Sequence, residues 1–331
     1  MRSLTIHHVT RYRYRKPVAF GEHRMMLRPR DSHDQRVIEA RIEISPEPIS
    51  LRFVQDAFGN HVGIARFSGR SKELRFESVV SLELLPSEPA ELDLGYAAKT
   101  LPVDYGADEQ PYLAHYIERH QPDAGDEVGY WAQQFLPSPG PISAFEFLTR
   151  LSQGIQRGFR YRRRQAKGIQ RPVETLRLGH GSCRDFAMLL IEAARSLGLA
   201  ARFASGYLAV ISSSARGATH AWAQIYVPGI GWIDFDPTSG GVGRTGLVTV
   251  AVVRDPEQAI PLHGTFFGSV LDAIGMDVEV RIISAGQDAN GPVPNSPGLP
   301  KSPNRKSAPT LHVSNLHNSP DALLDGGTPT R

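Results

Sequence analysis

Cys183 is the only cysteine in this 331-residue chain, and it stands where a thiol can act as a nucleophile. It follows His180-Gly181-Ser182 and opens a run in which Phe186, Leu189, Leu190, Ala193, Ala194 and Leu197 recur at helical spacing. The first turn of a helix offers unpaired backbone N–H groups and the positive end of the helix dipole, both of which favour an anion. The thiolate is the reactive form of a cysteine. A lone cysteine more often serves as a small buried hydrophobe, so position alone does not assign it a task.

A thiolate that attacks amides needs a base to hold its proton, and the base needs an acceptor to orient it. His220 begins a β pattern, with Trp222 on the same face because side chains repeat every two residues. The Pro228-Gly229-Ile230-Gly231 turn returns the chain as Trp232-Ile233-Asp234-Phe235-Asp236. With Tyr226 opposite Trp232, Trp222 faces Asp236 and His220 lies one diagonal step away, within reach across an antiparallel pair. Asp234, on the same face, is the rival orienter. Asp236 is preferred because it sits at the strand end, where a cleft can open. His180 is the rival base, but it lies in a Gly-flanked loop with no carboxylate nearby in sequence.

Those residues need a frame. Leu4–Tyr14, Val37–Ile44, Leu51–Val54, Val62–Ala65 and Leu74–Leu84 read as strands, with Asp56-Ala57-Phe58-Gly59-Asn60 as a turn. The pattern predicts a β-rich, sandwich-like domain over residues 1–90. Pro86 to Pro102 reads as a connector. Ser143-Ala144-Phe145-Glu146 has the spacing of a capping box and opens a helix through Phe147, Leu148, Leu151 and Ile155. The helix from Cys183 to Leu197 stops at Gly198. Strands follow at Ala201–Val210, His220–Val227, Trp232–Asp236 and Leu247–Val253, which places the chemistry in a second domain over residues 91–283. Residues 284–331 are rich in Asn, Ser, Pro and Gly and read as a disordered tail.

Composition narrows the function classes. The 37 basic and 34 acidic residues leave a net charge of +3, too little to argue for nucleic acid or an anionic membrane. One cysteine excludes an internal disulfide and a multi-thiolate zinc site. There is no HExxH and no phosphate-binding glycine loop in a strand–turn–helix setting, so no metal or cofactor is expected. No apolar run approaches a membrane span, and Met1-Arg2-Ser3 leads into a polar stretch, so the expected compartment is the cytoplasm. Nothing sets the oligomeric state.

The blocks around these residues resemble the bacterial transglutaminase-like superfamily. They are Gly181-Ser182-Cys183-Arg184-Asp185-Phe186-Ala187, Gly198–Phe203 with Ser205-Gly206-Tyr207, His220-Ala221-Trp222 and Gly231-Trp232-Ile233-Asp234-Phe235-Asp236-Pro237-Thr238. Gly168–Leu176 is similar as well. So are Tyr12-Arg13-Tyr14, Leu27-Arg28-Pro29-Arg30 and the turn at 56–60, which resemble the β-rich region that often precedes such a core. The resemblance implies an α+β, papain-like core in which a helix carrying Cys183 packs on an antiparallel sheet carrying His220 and Asp236. It implies Cys183 as nucleophile, His220 as base then acid, and Asp236 as orienter, acting on a peptide or protein with an amide or isopeptide bond. Arg171 stands where a threonine is expected after Gln170.

The expected reaction passes through a thioester, most simply completed by water. Amine transfer and a non-catalytic binding module that keeps the fold are the alternatives. The backbone N–H of Cys183 is the natural oxyanion donor, and Gln170 is a candidate second one. Two further features stand out: the basic run Arg160-Tyr161-Arg162-Arg163-Arg164, which can steer an acidic substrate or simply be solvated, and Trp222 with Trp232, which can wall a cleft or fill a core.

Overall fold

The protein is described by a computed structural model covering residues 2–85, 100–121, 123–164, 168–209, 217–243 and 246–284. Most of the expected connector and all but the first residue of the expected tail lie outside the described residues. The first region contains β1 (Arg2–Met25), β2 (Gln35–Ser45), β3 (Ser50–Gln55), β4 (His61–Arg66) and β5 (Arg70–Leu84). They lie in the order β2-β5-β1-β4-β3. β1 runs far past the expected end at Tyr14. Its pairing with β5 shifts register between Arg13 and Val18, where Pro17 supplies no N–H to the ladder. The sheet curls there. Leu51 of β3 and Ile44 of β2, from opposite ends of the strand order, pack on one cluster of Tyr14, Phe20, Leu74 and Phe76. The sandwich-like packing is thus made by one bent sheet.

The helices are α1 (Gly106–Ile117), α2 (Glu127–Gln133), α3 (Ala144–Gly158), α4 (Pro172–Leu178) and α5 (Cys183–Arg195), with β6 (Arg160–Tyr161) and β7 (His180–Gly181) paired in parallel between them. A second antiparallel sheet follows from β8 (Ala201–Leu208), β9 (Ala218–Val227), β10 (Gly231–Asp236), β11 (Gly241–Val242) and β12 (Leu247–Val253), in the order β11-β10-β9-β8-β12. α5 packs on β9 and β8 and is covered by α2, α3 and α4. Phe147, Leu148, Leu151, Phe186, Leu189 and Leu190 are fully buried there, each contributing about 1.5–3 kcal/mol by leaving water.

The chain then returns to where it began. β13 (Leu262–Phe267) and β14 (Ala273–Ser284) both pair antiparallel with β1. Residues 262–283, which the sequence places with the second domain, therefore belong to the first sheet, because strand pairing is blind to distance along the chain. Among the described residues no helix is long and apolar enough to cross a membrane.

The two sheets are joined through a shared core of Leu4, Ile6, Val80 and Leu82 against Tyr207, Val248 and Val250. Side-chain amides also close the free edge of β12. Asn60 Nδ2 donates to the Val252 carbonyl at 2.8 Å and its Oδ1 accepts from the Val252 N–H at 2.9 Å. Gln35 does the same at Thr249, both bonds being 2.9 Å. Each amide copies the donor–acceptor pair of a missing neighbour strand.

Candidate active site

Cys183 is the first residue of α5, with Ser182 as its N-cap. The turn that presents it is held by Asp185, which is fully buried. Asp185 Oδ2 accepts from the Ser182 N–H at 2.8 Å and from Ser182 Oγ at 2.6 Å, while Oδ1 accepts from the Gln170 N–H at 2.7 Å. Arg164 Nε lies 3.5 Å from the same carboxylate. Cys183 itself is partly exposed. As the first N–H of the helix, its backbone amide has no acceptor one turn back.

His220 and Asp236 arrive on the β9–β10 hairpin. The turn needs glycine at Gly229 and Gly231, whose φ angles are 82° and 95°. The register is the expected one, with Tyr226 opposite Trp232 and Ala223 opposite Phe235. His220 Nε2 lies 3.0 Å from Asp236 Oδ2, and the imidazole lies close enough to Cys183 for the sulfur to favour its protonated form. With Nε2 engaged by the carboxylate, Nδ1 is left for the sulfur. Asp236 is fixed in turn by Ser239 Oγ at 2.7 Å and the Thr238 N–H at 3.0 Å. The structure brings the three residues together, with His220 hydrogen-bonded to Asp236 and near Cys183.

Electrostatics follow from that arrangement. Burial disfavours a charged His220, but the hydrogen bonds and charges of Asp236 and Cys183 outweigh it and raise the imidazole from 6.5 to about 9. Burial likewise raises Asp236, but His220, Ser239 and Thr238 together hold it below the usual carboxylate range.

The rivals are occupied elsewhere. Asp234 Oδ1 accepts from Trp222 Nε1 at 2.6 Å and Gln224 Nε2 at 2.8 Å. His180 Nε2 faces Arg162 Nη1 at 3.3 Å, and among the described residues no carboxylate pairs with it. Gln170 is not an available oxyanion donor. Its Nε2 donates to Thr175 Oγ1 at 3.1 Å and the His180 carbonyl at 2.9 Å, which spends both N–H bonds on bracing the loop before Cys183. Trp222 is fully buried and stacks 6.2 Å from His220, so it packs the base from the interior, while Trp232 carries the Arg202 guanidinium at 3.9 Å.

Residues 4–83 match the bacterial transglutaminase-like N-terminal region, and residues 131–237 match the transglutaminase-like superfamily. These two matches cover most of the first sheet and the segment that holds Cys183, His220 and Asp236. Uncharacterized proteins of Mycobacterium tuberculosis strain H37Rv and of Mycobacterium leprae are similar to the chain. The first is 29% identical over 295 residues, covering 85% of this chain and 93% of the relative. The second is 27% identical over 284 residues, covering 83% and 96%. A crystal structure from Cytophaga hutchinsonii, provisionally described as a cysteine protease, shares the fold with a TM-score of 0.65 at 20% identity, covering 87% of this chain and 92% of that one.

Sequence reasoning missed the residues that brace the Cys183 turn and Asp236. Asp185 was readable from the Ser182-x-x-Asp185 spacing of a capping box, and Ser239 from its position one turn after Asp236. The contribution of the first sheet left no local signal. A cavity of about 20 Å³ beside His220 is lined by His8 and Met26 of that region together with Ser205, Tyr207 and Thr219. His8 is buried there, its Nδ1 2.9 Å from the Tyr207 hydroxyl, and burial followed by the charge of His7 lowers it to about 4. Among the described residues no group of three or more His, Cys, Asp or Glu could hold a metal ion.

Proposed function

We propose that this protein hydrolyses amide or isopeptide bonds in a peptide or protein, with Cys183 as nucleophile, His220 as the proton carrier and Asp236 as its orienter. The observation that carries this reading is His220 hydrogen-bonded to the buried carboxylate and near the partly exposed thiol. Cys183 passes its proton to His220 as its sulfur attacks the carbonyl carbon, and a C–S bond forms as the carbonyl π electrons move to the oxygen, which takes up negative charge. The Cys183 backbone N–H faces that oxygen. His220, protonated while its value stays near 9, gives its proton to the leaving nitrogen, and the C–N bond breaks. Water then adds to the thioester as His220 takes up its proton. The C–S bond breaks, and the carboxylic acid and the free thiol site are released. Asp236 stays ionised throughout and holds the ring with its Nδ1 toward the sulfur.

The fold shared with a provisionally described cysteine protease supports this reading. The test is a panel of peptide and isopeptide amides on wild type and Cys183→Ala. Acid release by the wild type alone supports hydrolysis. Incorporation of a fluorescent primary amine at the expense of acid replaces it with amine transfer. Equal behaviour of wild type and Cys183→Ala removes the catalytic reading.

A further inference from the structure

The cysteine lies beside a group of arginines that have no acidic partner among the described residues. β6 runs alongside β7, with the Arg160 N–H donating to the Gly179 carbonyl at 2.8 Å and the Arg162 N–H to the Gly181 carbonyl at 2.7 Å. That ladder fixes residues 160–162 against the segment ending two residues before Cys183. Arg160, Arg162 and Arg163 are all exposed. Between Phe159 and Arg184 the sequence holds a single acid, Glu174, and its carboxylate accepts from the Arg171 N–H.

Among the described residues Arg36, Arg52, Arg70 and Arg157 are also exposed without an ion pair, so it is the clustering beside Cys183 that gives this group meaning. Arg13, Arg24, Arg41, Arg150 and Arg254 each lie within ion-pair distance of an Asp or Glu. Among the described residues Arg160, Arg162 and Arg163 make no such pair. Arg162 Nη1 lies 3.3 Å from His180 Nε2. Tyr161 stands among them, half exposed at 51%. Its phenol is pushed up first by burial and then by the charge at Cys183, with Arg163 and Arg184 acting in the opposite sense. Tyr161 therefore lies within the field of the nucleophile and of Arg163 alike.

We propose that this basic lip selects acyl substrates that carry a carboxylate, an Asp or Glu side chain or a free terminal carboxyl, close to the bond that Cys183 attacks. The proposal rests on the amide-cleaving reading above. Exposed guanidinium–carboxylate pairs are individually weak, so the effect is a preference of about five- to ten-fold shared among the arginines, and it is screened by salt.

Two readouts test it. The first is kcat/KM for matched peptide amides bearing Glu or Gln beside the cleaved bond. The Glu:Gln ratio is expected at about five- to ten-fold in low salt, falling toward one in high salt and in the double variant Arg162→Gln, Arg163→Gln. The double variant Arg162→Lys, Arg163→Lys keeps most of the preference, which separates charge from folding. A wild-type ratio near one, or a ratio that the Gln variant leaves in place, overturns the proposal. The second readout is alkylation of Cys183 by iodoacetate against iodoacetamide, which differ in charge at nearly equal size. Their rate ratio is expected to fall about five-fold in the Gln double variant, and an unchanged ratio overturns the proposal. If no peptide is turned over, the amide-cleaving reading fails while the alkylation ratio still decides the lip.

Discussion

His220 is buried, which on its own would strip its proton, yet Asp236 and Cys183 put the proton back. The sign of the resulting pH dependence follows. Its folded value of about 9 lies above the ordinary 6.5, so the stability its charge lends is fully present below 6.5 and is lost as pH rises through about 9. Asp236 is displaced downward from 3.8, so its contribution is present above that value and lost in acid. Melting curves of wild type and His220→Gln should therefore differ most near pH 6 and converge above about pH 9; a difference that grows with rising pH contradicts the charged pair. Asp236→Asn keeps the shape but removes the charge that orients the ring. It is expected to lower kcat by about 10²- to 10⁴-fold with little change in KM. A loss confined to KM would instead make Asp236 a substrate contact.

Among the elements, the start of α5 concentrates the most cost in one side chain. Replacing Asp185 leaves the Ser182 and Gln170 N–H groups without acceptors and Arg164 without its partner. Asp185→Ala is expected to cost about 3 kcal/mol, read as a shift in urea midpoint, and to slow alkylation of Cys183 as the turn loosens. An unchanged midpoint would mean the turn holds itself. This element and the β9–β10 hairpin were the most legible in the sequence. Helical spacing, a cap and a short Gly turn are local signals, and they set the register that joins His220 to Asp236. Helix α1 was not legible: Pro111 lies inside it and Leu113 is its one buried hydrophobe, so it lacks a clear apolar stripe. Gln170, one candidate for the second oxyanion donor, was not legible for a different reason. Its residue type allowed an oxyanion donor, but only coordinates show where its two N–H bonds point.

For the molecule as a whole, the first sheet is built into the site region and is not an appendage. It closes the edge of β12 through Gln35 and Asn60, shares a core with β8 and β12, and lines the cavity beside His220. None of this could be read from local pattern, because the partners lie about 200 residues apart in the chain. Even β13 and β14, with ordinary strand-like sequences, gave no sign of which sheet they would join. Asn60→Ala removes both bonds to Val252 and is expected to cost about 1–3 kcal/mol within a single cooperative unfolding transition. Two separate transitions in calorimetry would show that the sheets fold independently and that the shared core contributes little.

The most direct measurement is the rate at which iodoacetamide labels Cys183 in the native protein, wild type against His220→Ala, at about pH 6 to 7. Wild type should react much faster than free cysteine, and His220→Ala should fall back to the free-thiol rate. Slow labelling of the wild type, or equal rates in the two proteins, would contradict the grouping of sulfur, imidazole and carboxylate as the working part of this molecule.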